Sequence, residues 1–367
     1  MKLFKSIANR FSVISKYRYK LILLIAVIWV VLDSAYILIR FKLLDIPSRY
    51  YFFEYNEPWA IVLREVIVFF MSALMGYVLV FNFKRNSRNL PLWVNFIRKT
   101  GMLILLAFAM NFLIHFSYSM LISHLTPSLA LKDFAGDAFA TYWILEKLPS
   151  WFLVFFVTQL LIEIIEKYSP GIFIDVFFGK YVHPRTEKRI VMFIDLKDST
   201  PIAEKLGNEE YFRFIRDFIY FISTGLIEYG GRIYQYVGDE VVVSWPYNSR
   251  NTRRCMDSLI EARKLLQKNG ERFRRKYGIV PEFRVGIHAG DVTVGEIGVI
   301  KKDLAMSGDT MNTTARIRSA CSELNQKFIV SKDFMEAIDL KEWQAESLGV
   351  VDLKGKANGV ELFALKI

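Results

Sequence analysis

Nothing constrains this chain more than where its apolar residues lie. Of 367 residues, 53% are hydrophobic, too many for a purely soluble enzyme, and the excess is confined to the first half. Four runs, 21–38, 61–83, 102–122 and 151–165, approach or exceed the roughly 20 residues needed to span a bilayer, the last only if residues 148–149 are counted in. No small-residue cleavage site follows the first run, so it does not read as a removed signal peptide. The pattern predicts an all-α, four-helix transmembrane domain over 21–166, preceded by a basic cytoplasmic segment, 1–20.

Charge placement orients these spans. Lys2, Lys5, Arg10, Lys16, Arg18 and Lys20 precede the first run with no acid among them, and Lys84, Arg85, Arg88, Arg98 and Lys99 lie between the second and third. The loops 40–58 and 123–147 carry both signs. Basic residues stay on the cytoplasmic side, so the expectation is an integral protein of the inner or plasma membrane, with four spans and both termini cytoplasmic. Much of the +11 net charge is thereby juxtamembrane, where it meets anionic lipid, and no nucleic-acid partner is expected. Cys255 and Cys321 both fall in the cytosolic half, so no disulfide is expected.

Residues 167–184 form a linker. A helix leaving the membrane meets Ser169-Pro170-Gly171, which breaks it, and a short apolar stretch over 172–182 follows. It reads equally as a transducing segment and as a simple tether.

The second half alternates strand and helix patterns. A strand is predicted at 190–194, a helix over 201–228 and a hairpin of 232–237 with 240–245. A helix over about 253–277 follows, then a strand pair 283–288 and 292–297 around Ala289-Gly290-Asp291. A helix at 311–322, a strand at 328–330, a short helix from Lys332 and strands near 347–353 and 360–365 close the domain. The central β-α-β-β-α-β order is that of an α+β, ferredoxin-like or polymerase-palm domain, here 185–367. Asp195 ends the first strand and Asp239 sits in the hairpin turn beside Gly238. Paired carboxylates at strand ends suit hard cations at a phosphate site.

Five motifs, FIDLKDST, YQYVGDE, FRVGIHAGDVTVGEIG, SGDTMNTTAR and LKGK, carry a family resemblance. In their order and spacing this half resembles a class III adenylate/guanylate cyclase catalytic domain, of the membrane-anchored bacterial type. The resemblance implies that Asp195 and Asp239, with the Leu196 carbonyl, hold two Mg²⁺ or Mn²⁺ ions. It implies that the turn of Lys197, Asp198, Ser199 and Thr200 cradles the triphosphate, with Arg284 on the outer phosphates and Lys354 reaching in from a second subunit. Asn312 would orient the ribose and Arg316 would stabilise the transition state. These sets act across a dimer interface in such enzymes, so the resemblance implies a head-to-tail homodimer with two shared sites.

Base selection departs from the family pattern. Gln235 stands where adenylyl cyclases usually place Lys and guanylyl cyclases Glu, and Ala305 occupies the partner position. A Gln amide donates and accepts, so it meets either purine edge. Family frequency favours ATP as substrate, giving 3′,5′-cyclic AMP and pyrophosphate, and GTP stays open. The alternative of another class is a membrane receptor or transporter whose cyclase-like domain binds nucleotide without turnover; the full Asn312/Arg316/Lys354 set argues against it. His288 reads as a packed strand residue and His115 as a polar residue between helices. Asp33 and Arg64, in the first two spans, could pair, either to sense a ligand or to fix helix packing.

Overall fold

A computed structural model describes residues 13–39, 58–83, 91–140, 151–160, 162, 172–300, 303–337, 344–356 and 358–367. The chain divides into two compact units, Ser15–Glu166 and Met1–Ile14 with Lys167–Ile367.

The first unit is helical: α1 (Val13–Leu38), α2 (Pro58–Tyr77, running on into a π-helical turn, Val78–Phe83), α3 (Leu92–Leu121), α4 (Pro127–Ala140) and α5 (Trp151–Leu160). Three stretches, Ser15–Leu38, Trp59–Phe81 and Trp93–Leu121, are long and apolar enough to cross a membrane. The fourth expected span is a helix only over Trp151–Leu160 among the described residues, so four spans are not established. The helices are inside-out relative to a water-soluble bundle. On α1, Ile22, Ile25, Ala26 and Trp29 are buried while Leu23, Leu24, Val27 and Val31 are exposed, an apolar outer face suited to lipid. Polar contacts join the helices, as expected where hydrophobic burial cannot. Arg64 donates to both Asp33 carboxylate oxygens (2.6 and 2.8 Å), Trp29 Nε1 donates to Thr158 Oγ1 (3.1 Å) and Gln159 Nε2 to Thr100 Oγ1 (3.3 Å). The pairing of Asp33 with Arg64 is thus present. The 123–147 segment, expected to be a loop, contains α4, whose Phe134 packs edge-on against Phe108 and Phe112. Asp133 of α4 lies 3.3 Å from the buried His115, which makes that histidine an interhelical polar contact.

The second unit opens with α6 (Ile172–Phe177) and builds an eight-stranded sheet, order β2-β3-β1-β4-β6-β8-β7, with β5 on β4. Its strands are β1 (Arg185–Leu196), β2 (Arg232–Val237), β3 (Glu240–Pro246), β4 (Phe283–Ile297), β5 (Asp303–Ser307), β6 (Phe328–Ser331), β7 (Gln344–Val351) and β8 (Val360–Lys366). Its helices are α7 (Ser199–Leu206), α8 (Asn208–Glu228), α9 (Ser249–Lys268), α10 (Gly270–Tyr277), α11 (Asp309–Glu323) and α12 (Lys332–Met335). The β2-β3-β1-β4 block is antiparallel throughout, the ferredoxin-like arrangement, and β6 joins β4 in parallel.

Central strands are apolar on both faces because both are covered. Successive residues of β1 alternate sides. Ile190, Met192 and Ile194 join Phe214, Phe218, Ile222, Trp245 and Leu259 in the core under α8 and α9. Val191 and Phe193 join Tyr181, Val242, Val292, Val294, Met306 and Met311 on the other face. The described end of the linker, from residue 172, packs onto the domain. Tyr181 is buried in that second core, and Asp175 of α6 pairs with Arg232 of β2 at 3.2 Å. The Ser169-Pro170-Gly171 break lies outside the described residues.

Several expected boundaries move for local reasons. The helix predicted over 201–228 is two, α7 and α8, because Gly207 at φ 73° ends one and starts the other. The next helix starts earlier than expected, at Ser249, where the Asn248 side chain accepts the Asn251 N–H (2.9 Å), and it breaks at Asn269. The strand pair predicted around Ala289-Gly290-Asp291 is one continuous strand, β4, which pairs with the whole length of β1 from Arg185↔Val294 to Leu196↔Phe283. Gly290 is there for close packing and not for a turn: a Cβ on it would lie 2.5 Å from Thr310 Oγ1 of α11.

Candidate active site

The antiparallel pairing of β1 with β3 ends at Ile194↔Val241, which sets Asp195 beside the β2–β3 turn carrying Asp239. Gly238 takes φ 59° there, a conformation that costs glycine little. Oxygen Oδ2 of Asp239 is buried and has no hydrogen-bond partner, an expensive state for a carboxylate unless a cation meets it. Burial holds the Asp195 carboxyl above the ordinary carboxylate range; Arg318 opposes that shift, Asp239 adds to it and Arg284 opposes it. Among the described residues no three His, Cys, Asp or Glu side chains form a self-sufficient metal cluster. Two carboxylates are nonetheless the usual protein share of a Mg²⁺ site completed by substrate phosphates. The residues present fit such ions: an orphaned buried oxygen lies beside a second carboxylate that its charge already disfavours.

Around this pair stand the expected phosphate residues. Asp198 adopts a left-handed conformation (φ 59°, ψ 37°) at the start of α7 and gives it no side-chain cap. Lys197 fixes the turn, its N–H donating to the Glu282 carbonyl (2.9 Å) and its Nζ lying 3.0 Å from Glu282 Oε2. Ser199 hydrogen-bonds Tyr211, whose phenol is raised by burial first and then by Asp239. Thr200 lies in the first turn of α7. Arg284 faces Asp195 in register across β1 and β4, its Nη2 3.7 Å from Asp198 Oδ1. The side chain of Leu196 is buried.

Asn312 and Arg316 lie one helical turn apart on α11. Arg316 sits against the 354–356 turn, since a Cβ on Gly355 would meet Arg316 Nη2 at 3.2 Å. Lys354 is exposed there, and Lys356 Nζ pairs with Asp309 Oδ2 at the head of α11 (2.7 Å). Among the described residues, neither Asn312 nor Arg316 hydrogen-bonds or ion-pairs with Asp195 or Asp239. Gln235 is exposed on β2 and Ala305 half-buried on β5. The two segments are joined beside them, where Met306 N–H donates to Tyr234 Oη (3.1 Å). His288 is buried as expected, its Nδ1 2.7 Å from Ser331 Oγ.

Two residues at the centre escaped sequence reading. Arg318, two residues beyond Arg316, places Nη2 2.6 Å from Glu240 Oε2 and Nη1 3.5 Å from Asp195 Oδ2. Glu240 directly follows Asp239, so its position in the hairpin was the available signal; nothing local in the sequence indicates Arg318.

Fold and site together define a nucleotidyl cyclase domain. Residues 181–366 match the family model of the adenylate and guanylate cyclase catalytic domain, and the chain belongs to that family. It is 31% identical over 196 residues to adenylate cyclase 2 of Rhizobium meliloti (strain 1021), covering 53% of this chain and 54% of that one. It is 25% identical over 217 residues to an adenylate cyclase of Anabaena cylindrica, covering 55% and 42%. The match thus spans about half the length of these relatives. A bacterial light-regulated adenylyl cyclase shares the fold, with a TM-score of 0.53 at 20% identity over 60% of this chain and 64% of that one.

Proposed function

We propose that this protein is a membrane-anchored, homodimeric adenylate cyclase, converting ATP to 3′,5′-cyclic AMP and pyrophosphate. The observation that carries the reading is the Asp195–Asp239 pair with its buried, unpartnered Asp239 oxygen, set beside an uncapped helix start and Arg284. Asp195, Asp239 and the Leu196 carbonyl would hold two Mg²⁺ or Mn²⁺ ions. When bound, these lower the pKa of the attacking ribose 3′-hydroxyl and neutralise the leaving phosphates.

The chain's own groups supply the rest. Backbone N–H groups of the turn over 198–200 meet the triphosphate, as helix starts do, while the Lys197 N–H holds the turn to Glu282, and Arg284 adds fixed positive charge beside them. Asn312 and Arg316 of the partner subunit orient the ribose and meet the charge that grows on the transferring phosphoryl group, and the partner's Lys354 meets the triphosphate. Gln235 and Ala305 border the base. ATP is favoured over GTP because the relatives quoted above are adenylate cyclases, and the Gln235 amide accepts either purine edge. Anchoring is by four spans with both termini cytoplasmic, supported by three apolar helices of spanning length and the basic segments before and between them.

The test is turnover by the full chain in detergent with Mn²⁺ and, in parallel, ATP and GTP. Cyclic AMP formation that is abolished by Asp239→Ala is expected. Cyclic GTP alone would reverse the base assignment, and no product from either nucleotide in a folded dimer would refute the activity.

A further inference from the structure

Arg318 is placed where a cation has consequences. Its side chain is about three-quarters buried, and its guanidinium joins two acidic groups from different strands, Asp195 of β1 and Glu240 of β3. The two contacts are unequal. The Glu240 contact, at 2.6 Å, is a close ion pair, though its geometry is not that of a hydrogen bond, while the Asp195 contact, at 3.5 Å, is longer. Its Nε is buried without a partner, so nothing else anchors the head group on that side. The backbone beneath is fixed, because α11 lies against Gly286 of β4 so closely that a Cβ there would be 2.5 Å from Arg318 N. Arg318 is thus tied to Glu240 and leans on Asp195.

Three carboxylates, Asp195, Asp239 and Glu240, crowd one end of the β1–β3 pair. Without a counter-charge the metal-free site would repel itself. A divalent ion at the aspartates would do the same neutralising work, and two cations cannot both sit close to Asp195 without opposing each other.

We propose that Arg318 is a resident counter-cation, anchored by Glu240, that neutralises Asp195 in the metal-free site and competes with the divalent ion for it. It is a positioning residue that sets how much metal the site needs. Glu240 keeps the guanidinium close after Asp195 has turned to the ion, so the exchange needs no rearrangement of α11. This rests on the reading of Asp195 and Asp239 as metal ligands.

The experiment is Mn²⁺ binding to the full chain without nucleotide, read from the free-Mn²⁺ electron paramagnetic resonance signal, together with thermal midpoints with and without Mn²⁺. Arg318→Gln is expected to bind Mn²⁺ about tenfold tighter than the parent. Its metal-free midpoint should be lower and its gain on adding Mn²⁺ larger. Arg318→Lys, which keeps the charge, should bind as the parent does. The double variant Glu240→Gln/Arg318→Gln, which does not leave Glu240 as a charge without its partner, should also bind more tightly and covers the case in which the single variant fails to fold. A brace that merely held the site in shape would give the opposite sign, with weaker binding on its loss. Unchanged or weaker binding in the charge-removing variants, with binding lost in Asp195→Ala, overturns the inference alone. Unchanged binding in Asp195→Ala overturns the metal-site reading and this inference with it.

Discussion

The sharpest handle on the site is a glycine that touches no substrate. At Gly286 a Cβ would lie 2.5 Å from Arg318 N, 2.8 Å from Thr314 O and 2.9 Å from Arg318 Cα. All three are backbone atoms of α11, so no side chain can turn away to make room. Ordinary contact begins near 3.4 Å, so Gly286→Ala must push α11 off β4 by about 0.9 Å. Overpacking of this kind costs about 1–3 kcal/mol, and a domain of this size loses roughly 2–4 °C of thermal midpoint per kcal/mol. The variant should therefore remain folded at assay temperature. Its helix, however, carries Asn312 and Arg316, and a displacement of about 1 Å in positioned groups costs on the order of 100-fold in rate. The assay pairs a thermal unfolding curve with initial rates at saturating nucleotide and Mn²⁺. The expected result is a midpoint lower by about 2–12 °C with kcat reduced about 100-fold. A folded Gly286→Ala protein with kcat within about threefold of the parent would refute the claim that close seating of α11 places the side chains proposed as catalytic, Asn312 and Arg316.

Asp195→Ala and Arg316→Ala should each be inactive alone, yet co-expression should restore about a quarter of parental activity, since half the dimers are mixed and each mixed dimer keeps one intact site. No recovery, in dimers shown to be mixed, would rule out sharing. Burial holds the His288 imidazole below its ordinary value, against Asp333 and with Lys356, while Asp309 opposes it. The unfolded chain therefore takes up that proton first as pH falls below about 6.5, and stability is lost from there down to the folded-state value. His288→Asn should flatten denaturant-measured stability between about pH 7 and pH 5 relative to the parent, and an unchanged slope would contradict the assignment.

What the sequence made legible follows from the range of the interactions involved. The apolar runs, the alternation in β1 and β3 and the carboxylates at strand ends are local patterns, and the expected αβ order emerged from them. The breaks that went unseen depend on single backbone conformations, such as Gly207 at φ 73°. The hairpin wrongly read into β4 came from giving Gly290 a turn when it makes room for Thr310, twenty residues further along the chain. Helix α4 went unseen because its sequence is only weakly apolar, and it is packing on Phe108 and Phe112 that gives it a place.

The Arg318 contact was hidden by the same distance, and it also bears on how the site is assembled. Two residues along an α-helix turn it through about 200°, so Arg316 and Arg318 project to nearly opposite sides of α11. Arg318 uses the side that faces its own Asp195 and Glu240. Arg316 then points toward Gly355 and away from those carboxylates, and Asn312, about 40° from Arg316, goes with it. No rotation of α11 presents both arginines to one aspartate pair, and Gly286 locks the helix against β4 in any case. If Arg316 is the transition-state arginine proposed above, this orientation directs it to nucleotide bound by another copy of the chain. On the proposed roles of Asn312 and Arg316, the geometry of one helix thus favours the proposed dimer: the side of α11 facing inward is taken by the Arg318 contacts to Asp195 and Glu240, and the side carrying Asn312 and Arg316 is left for a partner's site.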